Sequence, residues 1–157
     1  MADKATTSMS SSVFMDDIKA AMSGNYNYEP KDANDKWIFA EIAVSNSSAD
    51  LIAALDFLGS TTTITISDKP VWIAIKNIST TSTDGVVVCL DAGVAAWNLT
   101  DGVVIGSGEM LILKPTAATV ADIHAISVTM DGTYGYPTGT HAGTVTVQVA
   151  AVLDDVA

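Results

Sequence analysis

Thr144-Val145-Thr146-Val147-Gln148-Val149 places a valine at every second position, with a hydroxyl or an amide between. Side chains along a strand alternate between two faces, so this stretch predicts a strand over Thr144 to Leu153 with one buried and one polar face. Working towards the N-terminus, the same alternation and the crowding of β-branched residues predict further strands. They run over Trp37 to Ser45, Thr61 to Ser67, Val71 to Asn77, Gly85 to Asp91, Glu109 to Lys114 and Ile123 to Met130, with shorter pieces at Trp97 to Leu99 and Val103 to Ile105. Turn formers separate them: Ser67-Asp68-Lys69-Pro70, Thr83-Asp84-Gly85, Gly106-Ser107-Gly108 and Asp131-Gly132. Thr100-Asp101-Gly102, flanked by apolar residues, has the composition of a hairpin turn. Leu51, Ile52, Leu55 and Leu58 break the pattern with helical spacing, and Ser47 to Asp50 and Gly59 would cap and stop a short helix there. Many short strands without intervening helices exclude a parallel βαβ architecture. The expected fold is an all-β, antiparallel two-sheet sandwich over residues 37 to 157, for which a jelly roll is one fitting topology.

Residues 1 to 36 read differently, as an N-terminal arm. Ser11 or Ser12 would cap a short helix ending near Met22, with Val13, Phe14, Ile18, Ala21 and Met22 on its apolar side and Gly24 as the stop. So short a helix needs a surface against which to bury that side. Gly24 to Pro30 then form an irregular connection in which Tyr26 and Tyr28 would anchor the arm. Phe14, Ile18, Met22, Tyr26 and Tyr28 are therefore the candidate interface residues.

The chain has 157 residues, 48% of them hydrophobic, enough for one core. Seven lysines and no arginine stand against eighteen acids, a net charge of −11. That field repels polyanions, and arginine's planar fork is missing, so nucleic acid is not an expected partner. The opening MADKATTSMSSS lacks the apolar run of a signal peptide, and no stretch has the length of a membrane helix, so synthesis as a soluble cytosolic chain without membrane attachment is expected. The single cysteine, Cys89, lies in Val86-Val87-Val88-Cys89-Leu90 and reads as a small buried hydrophobe. Three sequons begin at Asn46, Asn77 and Asn98; in a Ser/Thr-rich chain without a secretion signal they carry no assigned role.

Catalysis needs a nucleophile, a base and a group that orients them, and only His124 and His141 offer imidazoles. Neither has a metal-ligand partner two or four residues away, and a cupin-like site would need several histidines near a glutamate, so no metal or cofactor is expected. The loop acids Asp84, Asp91 and Asp101 lie in turn contexts where a short carboxylate bonds the local backbone. Gly106-Ser107-Gly108-Glu109 lacks a P-loop's lysine and helix. Trp37 and Trp72 sit in apolar strand runs suited to core or subunit packing. Trp97 and the Tyr134-Gly135-Tyr136-Pro137 loop are the candidate exposed aromatics for stacking on a sugar. The expectation from the residues is a non-enzymatic structural or binding protein.

The run Lys69-Pro70-Val71-Trp72-Ile73-Ala74-Ile75-Lys76-Asn77-Ile78, then Asp84-Gly85-Val86-Val87-Val88-Cys89-Leu90-Asp91-Ala92-Gly93, resembles small virion proteins of tailed bacteriophages, especially those of aquatic bacteria. The resemblance extends through Asn98 to Gly102, Gly108 to Lys114 and Val145 to Val149, covering about residues 37 to 153 by strand and turn pattern. It implies a β-sandwich decoration or cement protein on the outer capsid surface, made in the host cytoplasm. The partners it implies are the major capsid protein and copies of the chain itself, with trimers common at capsid pseudo-threefold positions. Comparable folds in tails and fibres imply the alternative of a module binding a bacterial surface glycan.

Overall fold

The computed structural model describes residues 5–15, 18–28, 35–52, 64–90, 95–96, 102–115 and 118–154. The chain divides into two units, Met1–Ala33 and Asn34–Ala157.

The first unit is an antiparallel hairpin of β1 (Ala5–Met15) and β2 (Ile18–Tyr28), in continuous register from Ala5↔Tyr28 to Met15↔Ile18. The helix expected to end near Met22 is not formed: 11–15 and 18–22 are strand. Positions 14, 18 and 22 are four apart, a spacing that fits both a helical face and the two-residue period of a strand. The serines and threonines around them disfavour helix interiors, because their side chains compete for the backbone.

The second unit contains β3 (Lys36–Val44), β4 (Ala49–Asp50), β5 (Lys69–Asn77), β6 (Asp84–Cys89), β7 (Val103–Ile105), β8 (Met110–Leu113), β9 (His124–Met130), β10 (Pro137–Thr140) and β11 (Val145–Asp154). Among the described residues the only helical element is the 3-10 turn Val120–Asp122. The structure is all-β, and every strand pairing is antiparallel. One sheet has the order β3-β11-β5-β8; the other runs β10-β9-β6-β7, with β4 also paired to β9. The pairings β3 with β11, β4 with β9, β5 with β8 and β6 with β7 are nested in sequence, each inside the previous one.

One buried cluster draws on both sheets, with Ile38, Ile73, Ile75, Val147 and Val149 from the first and Val86, Val88, Ile105 and Ala125 from the second. The valines of the opening hexapeptide all lie in it, as their spacing predicts. β6 is buried on both faces, because Val87 and Cys89 join Ala95, Ile126, Val128 and Met130 in a second cluster on the other side of its sheet. This explains the continuous run Val86-Val87-Val88-Cys89, which alternation alone would not produce. Gly85 makes room there for the Met130 side chain, which a Cβ at this position would overlap.

At two places the described residues depart from the sequence reading. The strand expected over Thr61 to Ser67 does not form in its described part. Residues 66–67 instead turn, and Asp68 closes the turn by accepting from the Thr65 amide (2.9 Å) and hydroxyl (2.7 Å). The same carboxylate meets Lys36 Nζ at 2.8 Å, the two side chains being 0% and 3% exposed. Lys36 follows the inward-facing parity of β3, so the buried ammonium receives a fixed partner in place of water. In the expected cap Ser47 to Asp50, the last two residues form β4 instead, and Leu51 and Ile52 follow as buried, non-helical residues; Leu55, Leu58 and the rest of the expected helix lie outside the described residues. Residues 97–101, which hold the expected Trp97 to Leu99 strand and most of the Thr100-Asp101-Gly102 turn, lie outside them too.

Candidate functional site

Each histidine faces one carboxylate. His124 Nε2 is 2.7 Å from Asp50 Oδ1 across the β4–β9 pair, at the register position Asp50↔His124. His141 follows β10, and its Nδ1 accepts the Gly143 amide at 3.0 Å. Its Nε2 therefore carries the proton and donates to Asp84 Oδ1 at 3.3 Å. Ser79 Oγ donates to the other carboxylate oxygen of Asp84 at 2.7 Å and accepts the Thr81 amide at 3.1 Å.

Ser79, Asp84 and His141 thus have the residue types of a hydrolytic triad in the wrong order. In a triad the imidazole stands between serine and carboxylate so that it can remove the hydroxyl proton. Here the carboxylate stands between, and the serine proton already points at it. The arrangement clamps the β5–β6 connection. Asn77 extends the clamp: fully buried, its amide donates to the carbonyls of Asp84 (3.0 Å) and Ile105 (3.3 Å) and accepts the Ser79 amide (3.0 Å). The Asn77 sequon is consumed by the fold. Ser107 donates to the Ser79 carbonyl at 2.6 Å, and Glu109 accepts the Gly106 amide at 2.7 Å, so the expected Gly106-Ser107-Gly108 turn is also tied down by its own polar groups.

Cys89 is buried. Among the described residues no group of three or more His, Cys, Asp or Glu could hold a metal ion, and no helix is long and apolar enough to cross a membrane.

The five arm candidates all fall on the hairpin. Phe14 lies in β1 opposite Lys19; Ile18, Met22, Tyr26 and Tyr28 lie in β2. Directly paired positions share a face, and alternate positions along a strand share it as well. Register therefore puts positions 18, 22, 26 and 28 on one face together with Thr7, Met9 and Ser11, and position 14 on the other. Helical spacing had grouped Phe14 with Ile18 and Met22; the pairing of Met15 with Ile18 reverses the parity between the strands. On that shared face Met9 and Met22 are 51% and 68% exposed, Tyr26 is half-buried and Tyr28 is buried. The side chains of Phe14 and Ile18 lie outside the described residues.

The exposed-aromatic candidates divide likewise. Trp97 lies outside the described residues. Tyr134 and Tyr136 are 76% and 53% exposed, with ring centroids 6.1 Å apart and planes 16° from parallel. Their loop is held by Asp131, whose Oδ1 accepts the amides of Thr133 and Tyr134, both at 2.8 Å, while its carbonyl accepts that of Gly135 at 2.9 Å. Gly135 has φ +70°, which favours glycine. Trp37 and Trp72 flank Val152 on either side, at register positions Val152↔Trp37 and Val152↔Trp72, and Val152 is fully buried.

Comparison with known proteins finds no matching family model, no matching curated protein and no matching solved structure.

Proposed function

We propose that the chain is a non-enzymatic structural protein of a tailed-phage virion, a decoration or cement protein on the outer capsid surface that bridges capsid subunits. The observation that carries this reading is the organisation of the first unit. An eleven-by-eleven-residue hairpin with one apolar-rich face forms a unit of its own, and two strands alone are marginally stable in water. Such a hairpin gains order when its face is covered, which suits an arm laid across a joint between subunits. The major capsid protein and further copies of this chain are the partners this reading calls for. A charge of −11 supports an external position, since it keeps a protein present in many copies soluble and repels it from packaged DNA.

The fold we assign to the second unit is a two-sheet sandwich of jelly-roll topology. The nested pairings support it: with β10 set aside, the eight strands from β3 to β11 pair first with last, second with seventh, third with sixth and fourth with fifth. Rolling that long hairpin brings the last strand against the third and the seventh against the fourth, and both contacts occur, as β11 with β5 and β9 with β6. Jelly rolls serve in capsids and in lectins alike, so the topology does not choose between them.

One observation favours a second reading, a tail or fibre module that binds a bacterial surface glycan: the stacked, exposed Tyr134 and Tyr136 form an aromatic surface on a rigid loop. Immunogold labelling of phage particles with antibody raised against the recombinant chain tests both readings. Gold over heads is the expected result; gold confined to tails selects the glycan reading, and unlabelled particles overturn both.

A further inference from the structure

A short turn, His141-Ala142-Gly143-Thr144, connects β10 to β11. Within it the Gly143 amide donates to His141 Nδ1 at 3.0 Å. Two further bonds fasten it to β9: the His141 amide donates to the Ser127 carbonyl at 3.2 Å, and the Ser127 hydroxyl donates to the Gly143 carbonyl at 2.9 Å. Ser127 is fully buried and occupies a particular step of its strand. While β6 runs along one edge of β9, β4 pairs with the other edge at His124 and Ala125, and β10 pairs with it from Val128 to Met130. Ser127 lies between these two partners, and its own amide is taken by the Ser45 carbonyl at 2.8 Å. The turn therefore closes the step of the β9 edge between β4 and β10, where the Ser127 carbonyl would otherwise be buried without a donor.

We infer that this turn is a proton-operated latch, closed while the His141 ring is neutral and released at Gly143 when the ring takes up a second proton. Of the two imidazole nitrogens, only an unprotonated one can accept a hydrogen bond. In the closed turn Nδ1 is the acceptor, and Nε2 is the donor to Asp84 Oδ1 at 3.3 Å. A second proton must enter at Nδ1, where it faces the Gly143 N–H donor to donor. The ring does not escape by leaving Asp84, because the imidazolium strengthens that contact and the other carboxylate oxygen is already fixed by the Ser79 hydroxyl at 2.7 Å. The backbone yields instead at Gly143, which is exposed. Its carbonyl then parts from the Ser127 hydroxyl, leaving the His141 amide as the tie between turn and strand.

Among the described residues, Asp84 is the charged partner of this ring. The 78–83 connection, β10 and the turn itself carry no other charged side chain, and β9 contributes only His124, which faces Asp50 at the start of the strand. None of the residues that carry the virion reading takes part in the latch, so the two stand or fall separately.

Two-dimensional NMR of the 15N-labelled full chain between about pH 8 and about pH 5, the window in which imidazoles ordinarily gain a proton, tests the inference. Carboxylates ordinarily titrate below that window. At its alkaline end the ring spectrum of His141 should show a proton on Nε2 and none on Nδ1. On acidification the Gly143 amide should titrate with the same midpoint as the His141 ring and move upfield as its bond is lost. Its protection against exchange, relative to an unstructured peptide at the same pH, should fall roughly fivefold, the factor that one net hydrogen bond supports. His141→Asn supplies an acceptor for the amide two residues on but does not titrate, so the Gly143 resonance should then stay flat and the amide bonded across the window. His124→Gln should leave the Gly143 response in place. A Gly143 amide that ignores the His141 titration overturns the inference. So does a neutral ring with its proton on Nδ1, a response that persists in His141→Asn, or one that disappears in His124→Gln.

Discussion

Asp68→Ala leaves the Lys36 ammonium buried without the carboxylate that faces it at 2.8 Å. Removing one member of a buried ion pair costs about 3–5 kcal/mol. The Thr65 amide and hydroxyl lose their acceptor as well, which adds about 1 kcal/mol. The sum, about 4–6 kcal/mol, is a large part of the about 5–15 kcal/mol that holds a typical domain together. For a unit of this size it lowers the melting temperature by about 15–25 °C. Urea unfolding followed by tryptophan fluorescence reads it directly. Lys36→Met should cost less, because Asp68 keeps both Thr65 donors. The double variant Lys36→Met/Asp68→Asn should be more stable than the two single losses add to, since an apolar replacement removes the charge that needed a partner.

The pH dependence follows from the same geometry. Burial pushes the Asp68 carboxyl up, but the Lys36 side chain and the Thr65 amide and hydroxyl outweigh burial and hold it below its ordinary value of 3.8. A lowered folded-state value means that the ion pair contributes fully above the unfolded value and is lost as pH falls through the folded one. The gap in stability between the original chain and Asp68→Ala should therefore be constant near neutrality and narrow on acidification below 3.8. A loss under about 1 kcal/mol at neutral pH, the level of an exposed pair, would refute the buried-pair account, as would a gap that widens in acid.

Other perturbations probe different parts of the fold. Gly85→Ala should cost about 1–3 kcal/mol in chemical denaturation, because the new methyl overlaps Met130, and much less in a Met130→Ala background where that side chain is gone. Asn77→Ala should cost about 2–3 kcal/mol in the same assay, since it strips a donor from two carbonyls and an acceptor from the Ser79 amide at a buried position. Cys89 should resist a thiol reagent in the native chain and react at once in denaturant; rapid native labelling would contradict its burial at 1% exposure.

The sequence by itself determined most of the strands of the second unit. Alternation and the crowding of β-branched residues placed β3, β5, β6, β8, β9 and β11 within about two residues of their ends, β6 by a continuous apolar run because both its faces are buried. β10 was missed, since Pro137-Thr138-Gly139-Thr140 has no apolar face to alternate and owes its strand to pairing with β9. Local pattern failed in the arm, where four-residue spacing fits a helix and a strand equally, and only the partner strand chooses between them. It failed again at Thr61 to Ser67, where Asp68 closes a turn and answers a lysine 32 residues away, a contact that no local window contains. For the candidate surfaces, composition pointed to the exposed Tyr134 and Tyr136 but not to their stacking. Ser79, Asp84, Ser127 and His141 are scattered along the chain, and each reads locally as an ordinary turn or strand residue. Only the long-range register of β6, β9 and β10 brings them into one network, because which strands become neighbours is decided by pairing across the whole chain and not by the pattern within any one strand.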